Sequence, residues 1–162
     1  MSSKTLLTGR VLLSVLYLSI AVAILATAML AVPAKKVTEA FVFLGGEEIS
    51  ITIVDTPALR EQGLSGHKAL KQNEGMFFIF EESGKYGFWM KAMLFPIDII
   101  WFDEDKKIVD VWENATPSSY PEVRVSNVPA QYVLEVNAGY YKNHALKVGD
   151  MLELKLHARY NK

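Results

Sequence analysis

The feature that most constrains the chain is an uncharged, apolar run of 22 residues from Val11 to Val32. At a helical rise of about 1.5 Å per residue, the run extends about 33 Å, which is enough to cross the hydrocarbon core of a bilayer. This length argues against a buried helix of a globular domain. The sequence therefore predicts a membrane-inserted or secretory segment ahead of the folded part.

Basic residues on the two sides of this run do not decide its orientation. Lys4 and Arg10 precede it and Lys35 and Lys36 follow it, so the counts are equal. The signal-like order of a basic region, an apolar run and a folded part favours an N terminus inside the cell. Ala26-Thr27-Ala28 has the A-x-A pattern of a cleavage site, but the length of the run favours an uncleaved anchor.

We therefore expect residues 1–36 to hold a cytoplasmic tip, the anchor or signal segment and a linker. Residues 37–162 are expected to form an extracytoplasmic domain of a single-pass cell-membrane protein, or a secreted protein if the segment is cleaved. In this domain 13 Lys and Arg stand against 18 Asp and Glu, a net charge of −5. That balance repels nucleic acid and anionic lipid headgroups, so the membrane is an expected partner only through the apolar segment. The sequence makes no prediction of oligomeric state.

The outer domain begins with a hairpin pattern. Val37–Leu44 and Glu47–Val54 are strand-like and are separated by Gly45-Gly46, which suits a two-residue primed turn. Thr56-Pro57 then predicts a short helix, with Thr as its cap and Pro in its first turn, that ends at Gly63. A second short helix is predicted at His67–Lys71.

Further strands are predicted by apolar or alternating runs at Gly75–Phe80, Tyr86–Met90, Ile97–Phe102, Lys107–Glu113, Gln131–Val136 and Met151–His157. Thr116–Pro129 contains three prolines and little periodicity, which predicts a long surface loop. Gly139–Leu146 predicts a short helix or turn. Many short strands with brief helices predict a mainly β fold, a compact β-sandwich or small barrel with helical insertions.

Two carboxylates interrupt otherwise apolar strands and are the first candidates for chemistry. Asp98 lies within Ile97–Phe102, and Glu135 lies within Val133–Val136. A buried, unpaired carboxylate is costly, so each should be partnered, exposed in a cleft, or used. If the fold brought them together, the two would form a general acid/base pair, as in glycoside cleavage, but their spacing of 37 residues does not give their distance in space. Lys91 or Arg60 would equally serve either one as a structural ion pair.

The composition argues against metal and cofactor chemistry. There is no cysteine, and the three histidines have no recognisable ligand spacing. The methionines Met76, Met90 and Met93 are more typical of a core than of a copper(I) site. No phosphate-binding loop, dinucleotide fingerprint or nucleophile elbow occurs. We therefore predict no metal site and no cofactor.

Several motifs in order resemble the domain of unknown function 192 family. They are Arg60-Glu61-Gln62-Gly63-Leu64-Ser65-Gly66-His67, Glu74-Gly75-Met76-Phe77-Phe78-Ile79-Phe80, Phe88-Trp89-Met90-Lys91, Pro96-Ile97-Asp98-Ile99-Ile100, Val133-Leu134-Glu135-Val136-Asn137-Ala138-Gly139 and Val148-Gly149-Asp150. The resemblance runs from Ile49 to Leu154, nearly the whole outer domain.

The resemblance implies a compact β-sandwich or barrel with small helical insertions, commonly behind a signal sequence or anchor. The family has no established activity, so the resemblance bears on fold and location more than on function. Two positions depart from the family pattern, which usually has Arg where this chain has His67 and Asn or Asp where it has Ala92. These departures count against an enzyme that requires those polar groups.

The leading hypothesis is an anchored extracytoplasmic binding or accessory domain of the cell envelope, with a small molecule, sugar or peptide as ligand. Whether the domain is also an enzyme is left open. One alternative is an envelope hydrolase using Asp98 and Glu135 as acid and base, and another is a structural module that docks a membrane partner. The candidate ligand-binding residues are His67, Trp89, Lys91, Asp98, Glu135 and Asn137.

Overall fold

The computed structural model describes residues 36–160, with side chains from residue 39 to residue 157. Its strands are β1 (Lys36–Leu44), β2 (Glu47–Val54), β3 (Glu74–Gly84), β4 (Gly87–Trp89), β5 (Ile97–Phe102), β6 (Ile108–Ala115), β7 (Val123–Val125), β8 (Ala130–Asn137) and β9 (Glu153–Tyr160). The α-helices of this part are α1 (Pro57–Gln62) and α2 (Tyr140–Asn143), and Pro117–Ser119 forms a 3-10 turn. The predicted mainly β class is confirmed.

The predicted apolar segment Val11–Val32 lies outside the described residues. Within residues 36–160, no helix has the length and apolar character needed to cross a membrane.

Seven strands form one sheet in the order β6-β5-β8-β3-β2-β1-β9, and β4 pairs with β7 in a separate two-stranded sheet. The pairs β5–β6, β5–β8, β3–β8 and β1–β2 are antiparallel, whereas β2 and β3 are parallel. A parallel pair needs a crossover connection, and α1 lies in that connection. The expectation of a small closed barrel is wrong, because the large sheet ends in the edge strands β6 and β9.

In the described chain, the segment just before one edge strand of the large sheet meets the start of the other edge strand. The segment that precedes β9 approaches the start of β6, where Gly149 N–H donates to the Ile108 carbonyl over 2.8 Å. Ile108 N–H donates to the Asp150 carbonyl and Leu152 N–H to the Lys106 carbonyl, both over 2.9 Å. These bonds join the edges locally without pairing β6 to β9 as strands.

The predicted first hairpin and first helix are confirmed. Gly45 and Gly46 have φ of +63° and +84°, the positive pair that a primed two-residue turn requires. The α1 helix begins after Thr56, whose hydroxyl accepts a hydrogen bond from Leu59 N–H, and it ends at Gly63 with φ of +49°. This positive φ at the helix end favours glycine.

Two local predictions are wrong. Residues 67–71 form irregular chain instead of a helix, and the Asn137 amide holds this non-helical path by donating to the Lys71 carbonyl over 2.8 Å. The predicted loop Thr116–Pro129 contains a 3-10 turn and β7. Strand β7 forms because β4 offers it a partner, with Trp89 opposite Val123.

The core has two apolar clusters on opposite faces of the central strands. Phe77, Ile100 and Leu134 belong to the first cluster, and their strand neighbours Phe78, Ile99 and Val133 belong to the second. All six residues of β5 are buried, as the continuous apolar run predicts. Phe88 of β4 joins the second cluster, so the small sheet and the crossover segment cover that face.

Candidate functional site

Glu135 is a buried acid on the face of the second cluster. It lies in β8, opposite Met76 of β3 and Ile99 of β5, and its side chain is 5% exposed. Its Oε2 has no hydrogen-bond partner in the described chain. Burial raises the pKa of the Glu135 carboxyl to about 8, so the group is a neutral carboxylic acid at pH 7.

The Glu135 carboxyl lines a cavity of about 200 Å³. Much of the wall is aromatic, from Phe78, Phe80, Tyr86, Phe88 and Trp89. The rings hold one another in place, since Phe78 meets Phe88 edge to face and Phe80 stacks on Tyr86 with ring centres 3.6 Å apart. Trp89 is 38% exposed and so lies where the cavity meets solvent. A carboxylic acid therefore faces an apolar, aromatic space.

Arg60 is a second polar group of the cavity wall. Its Nη1 donates to the Asp55 carbonyl over 2.6 Å and to the Ile79 carbonyl over 2.8 Å, and its guanidinium lies over the Phe80 ring, 4.9 Å from the ring centre. These contacts hold the cation against the aromatic wall. Both hydrogen bonds come from Nη1, so the remaining N–H groups have no hydrogen-bond partner in the described part of the chain.

The loop after α1 closes the cavity over Glu135. A Cβ at Gly63 would lie 3.5 Å from the Phe78 ring and 3.9 Å from Glu135 Oε2, so this glycine brings the main chain close to the acid. The Ser65 hydroxyl donates to the Lys91 carbonyl over 2.8 Å. The loop that follows α1 is thereby tied to the chain after β4, and both segments contribute to the cavity wall.

Trp89 and Glu135, both predicted from the sequence, meet in this cavity, and Lys91 lies beside it. Lys91 is exposed and lines a shallow neighbouring depression that shares Glu61, Gln62 and Ser65 with the cavity wall.

Asp98 lies on the opposite face of the sheet from Glu135. It is fully buried, and its carboxylate accepts hydrogen bonds from the N–H groups of Asn114 (2.8 Å), Gly139 (3.1 Å) and Tyr141 (2.9 Å). The carboxylate thus joins β5 to the end of β6 and to the start of α2. These three donors meet the hydrogen-bonding needs of the Asp98 carboxylate, which gives the residue a structural role. Its side chain is directed away from Glu135, to the other face of the sheet.

The other two predicted residues lie in separate places. His67 is exposed and lines a small depression beside β2 and β3. Asn137 lines an open, polar depression with His144, and its amide holds the chain at Lys71. The structure therefore distributes the six predicted residues over several surfaces and brings only Trp89 and Glu135 into one cavity, with Lys91 adjacent.

Sequence reasoning missed the aromatic wall and gave Arg60 only an ion-pairing role. The available signal was that the segments Arg60–His67, Glu74–Phe80 and Phe88–Lys91 are ordered motifs, and each of them contributes to this cavity. Among the described residues, no group of three or more His, Asp or Glu side chains is placed to hold a metal ion.

Comparisons with known proteins place residues 40–154 in one family model, DUF192, described as an uncharacterized ACR. A solved structure from Sinorhizobium meliloti 1021, described as a candidate transcription regulator, is 30% identical with a TM-score of 0.66, and the match covers 75% of this chain and 95% of that one. A protein of unknown function from Novosphingobium aromaticivorans DSM 12444 is 28% identical with a TM-score of 0.65, covering 73% and 84%. No curated protein matches the chain.

Proposed function

The chain belongs to the family with domain of unknown function 192, and for this member we propose a small-molecule-binding function. The ligand occupies the cavity that Glu135 lines. The binding domain lies outside the cytoplasm, is held at the membrane by the segment Val11–Val32, and acts as a binding or accessory module of the cell envelope.

The Glu135 carboxyl, whose Oε2 has no hydrogen-bond partner among the described residues, carries this proposal. Asp98 is buried as deeply, but three main-chain N–H groups account for it. A buried polar group without hydrogen bonds costs roughly 1–3 kcal/mol, so a residue that only filled the space beside Phe78 would be better apolar. A ligand that hydrogen-bonds to Glu135 offsets this cost in the bound state.

The acid/base alternative receives no support from the geometry. Glu135 pairs with Ile99, while Asp98 pairs with Val136, so the two acids alternate to opposite faces of the sheet. Paired-carboxylate cleavage of glycosides requires both groups on the same bound sugar. Asp98 is also occupied by its main-chain donors.

A structural docking role is a second candidate, favoured by the outer face of the small sheet. Trp89 and Val123 are directly opposite each other across β4 and β7 and are 38% and 51% exposed, and Val125 is 44% exposed. This candidate needs an apolar partner surface, whereas the binding proposal needs Glu135. Substitution of Glu135 therefore separates the two.

The charge of residues 37–162 argues against a nucleic-acid-binding function for this chain. Residues 37–162 have a net charge of −5, with 13 basic and 18 acidic residues. A nucleic-acid-binding domain uses a basic face to neutralise phosphates.

A fragment screen by ligand-observed NMR, on the full chain in detergent micelles, tests the binding proposal. We expect some fragments to bind the wild type and not to bind Glu135→Leu. This variant keeps the bulk of the side chain but removes its polar atoms. Glu81→Gln alters an exposed carboxyl of β3 outside the cavity and should keep every hit. A screen without hits, or with hits that all survive Glu135→Leu, contradicts the proposal.

The location is tested with a single introduced thiol. The chain has no cysteine, so Ser83→Cys at an exposed position of β3 provides a unique label. We expect a membrane-impermeant maleimide to label the full chain in intact cells. Labelling only after the cells are broken would contradict an extracytoplasmic domain.

A further inference from the structure

The polar groups of the Glu135 cavity limit the class of its ligand. Arg60 carries a permanent positive charge and is fixed on the wall by two main-chain carbonyls and the Phe80 ring. Glu135 is neutral at pH 7 because its burial opposes ionisation. Glu61, the other acid of the wall, lies on an exposed part of α1. The cavity wall thus offers a half-buried cation and a buried, neutral hydrogen-bond donor.

An anionic ligand suits these groups better than a cationic or neutral one. A cation would stand beside the Arg60 guanidinium and would require Glu135 to lose its proton. A neutral ligand would leave the half-buried guanidinium without a counter-charge in the cavity wall. A carboxylate accepts hydrogen bonds from the planar guanidinium fork and from the acid O–H together.

The volume of the cavity and its aromatic walls indicate the size of the ligand and the shape of its apolar part. Pockets for drug-sized molecules occupy roughly 300–1,000 Å³, whereas this cavity is about 200 Å³. The rings of Phe78, Phe88 and Trp89 line it and favour a flat, apolar body. The ligand is therefore smaller than a drug-sized molecule and has one polar end.

We propose that the cavity binds a small organic monocarboxylate with a flat apolar body, whose carboxylate is hydrogen-bonded by both Arg60 and Glu135. This inference rests on the proposed function and names its ligand class. It requires Arg60 to supply the charge and Glu135 to supply a second donor.

Three probes of nearly equal shape test the ligand class by calorimetry on the full chain in micelles: benzoate, benzamide and benzylammonium. We expect benzoate to bind most tightly. Arg60→Met should weaken benzoate at least about tenfold while changing benzamide little, since a charge-assisted hydrogen bond contributes roughly 1.5–3 kcal/mol. Arg60→Lys keeps the positive charge but loses the planar guanidinium. Its benzoate affinity should therefore lie between that of the wild type and that of Arg60→Met.

The pH profile isolates Glu135. Benzoate affinity of the wild type should fall about tenfold per pH unit above pH 8, where the acid loses its proton. In Glu135→Gln the amide still donates, so this fall should disappear. The other ionisable side chains of the wall are Arg60, Glu61 and Tyr86, and they are the same in both proteins, so the difference between the two profiles reports Glu135.

Tighter binding of benzamide or benzylammonium that depends on Glu135 would overturn the monocarboxylate and leave the proposed binding function in place. Benzoate binding that is unchanged by both Arg60→Met and Glu135→Leu would also overturn it. If none of the three probes binds, the inference fails, and the proposed function is then decided by the Glu135-dependent hits of the fragment screen.

Discussion

The raised pKa of Glu135 predicts a specific pH dependence of stability. Burial raises this pKa from 4.5 to about 8, so the folded chain keeps the proton over a range in which the unfolded chain releases it. The unfolded state is therefore favoured progressively as the pH rises from 4.5 to 8, and the loss is constant above 8. Each pH unit corresponds to about 1.4 kcal/mol, which gives a loss of about 3 kcal/mol by pH 7.

The assay compares the wild type with Glu135→Gln by urea unfolding of the full chain, followed by tryptophan fluorescence between pH 4 and pH 9. Gln cannot ionise, so between pH 4.5 and pH 8 the difference in unfolding free energy should favour the variant increasingly, with a slope of about 1.4 kcal/mol per pH unit. A constant offset from the amide does not affect this slope. Glu81→Gln, at an exposed site of β3, is the control and should give a flat difference. A flat difference for Glu135→Gln would refute a protonated acid in the cavity.

Three further predictions concern the framework of the site. Asp98→Asn should destabilise the chain by about 2–4 kcal/mol, because it weakens three buried hydrogen bonds to main-chain N–H groups; a loss below about 1 kcal/mol in urea unfolding would contradict that role. Gly63→Ala should cost about 1–3 kcal/mol, since φ is +49° and an L side chain is strained there, while the new Cβ would meet the Phe78 ring at an ordinary contact distance of 3.5 Å; unchanged stability would count against the strain. Thr56→Ala should cost about 1 kcal/mol or less by thermal unfolding, because the 3.4 Å cap hydrogen bond is long, and a larger loss would indicate a further role.

Local sequence patterns predicted the parts of the fold that local physics controls. The Gly45-Gly46 turn and the α1 helix behind Thr56-Pro57 depend on neighbouring residues, and both are confirmed. The fully buried strand β5 follows from an unbroken apolar run. Its neighbours in the sheet come from distant parts of the chain, and periodicity does not specify them.

The predictions that failed depend on long-range partners. The chain at residues 67–71 is held by Asn137, 66 residues away from Lys71, and β7 exists because β4 lies beside it. Dependence on distant parts of the chain also explains why the sequence does not predict which face of the sheet Asp98 and Glu135 occupy. Their faces depend on strand register, which places Asp98 opposite Val136 instead of Glu135, and a shift of one residue would have put them on one face.

The cavity itself was only partly accessible from sequence. Glu135 was identified because an acid in an apolar strand needs an explanation, and the same argument selected Asp98, whose explanation is structural. The difference between them lies in their hydrogen-bond partners, which depend on where α2 and α1 pack. Arg60 lies in the cavity wall because the crossover between β2 and β3 places α1 over the sheet, and its sequence position alone does not show this.

The hydrogen bonds between the segment before β9 and the start of β6 have a consequence for self-association. An open sheet presents main-chain groups along its outer strands, and these can template the addition of a foreign strand. Here Ile108 has both its N–H and its carbonyl engaged, and the Val111 carbonyl further along β6 accepts from Arg124 over 3.1 Å. A foreign strand that extended the sheet at β6 would first have to displace these bonds, so this side of the sheet is protected against amyloid-like growth.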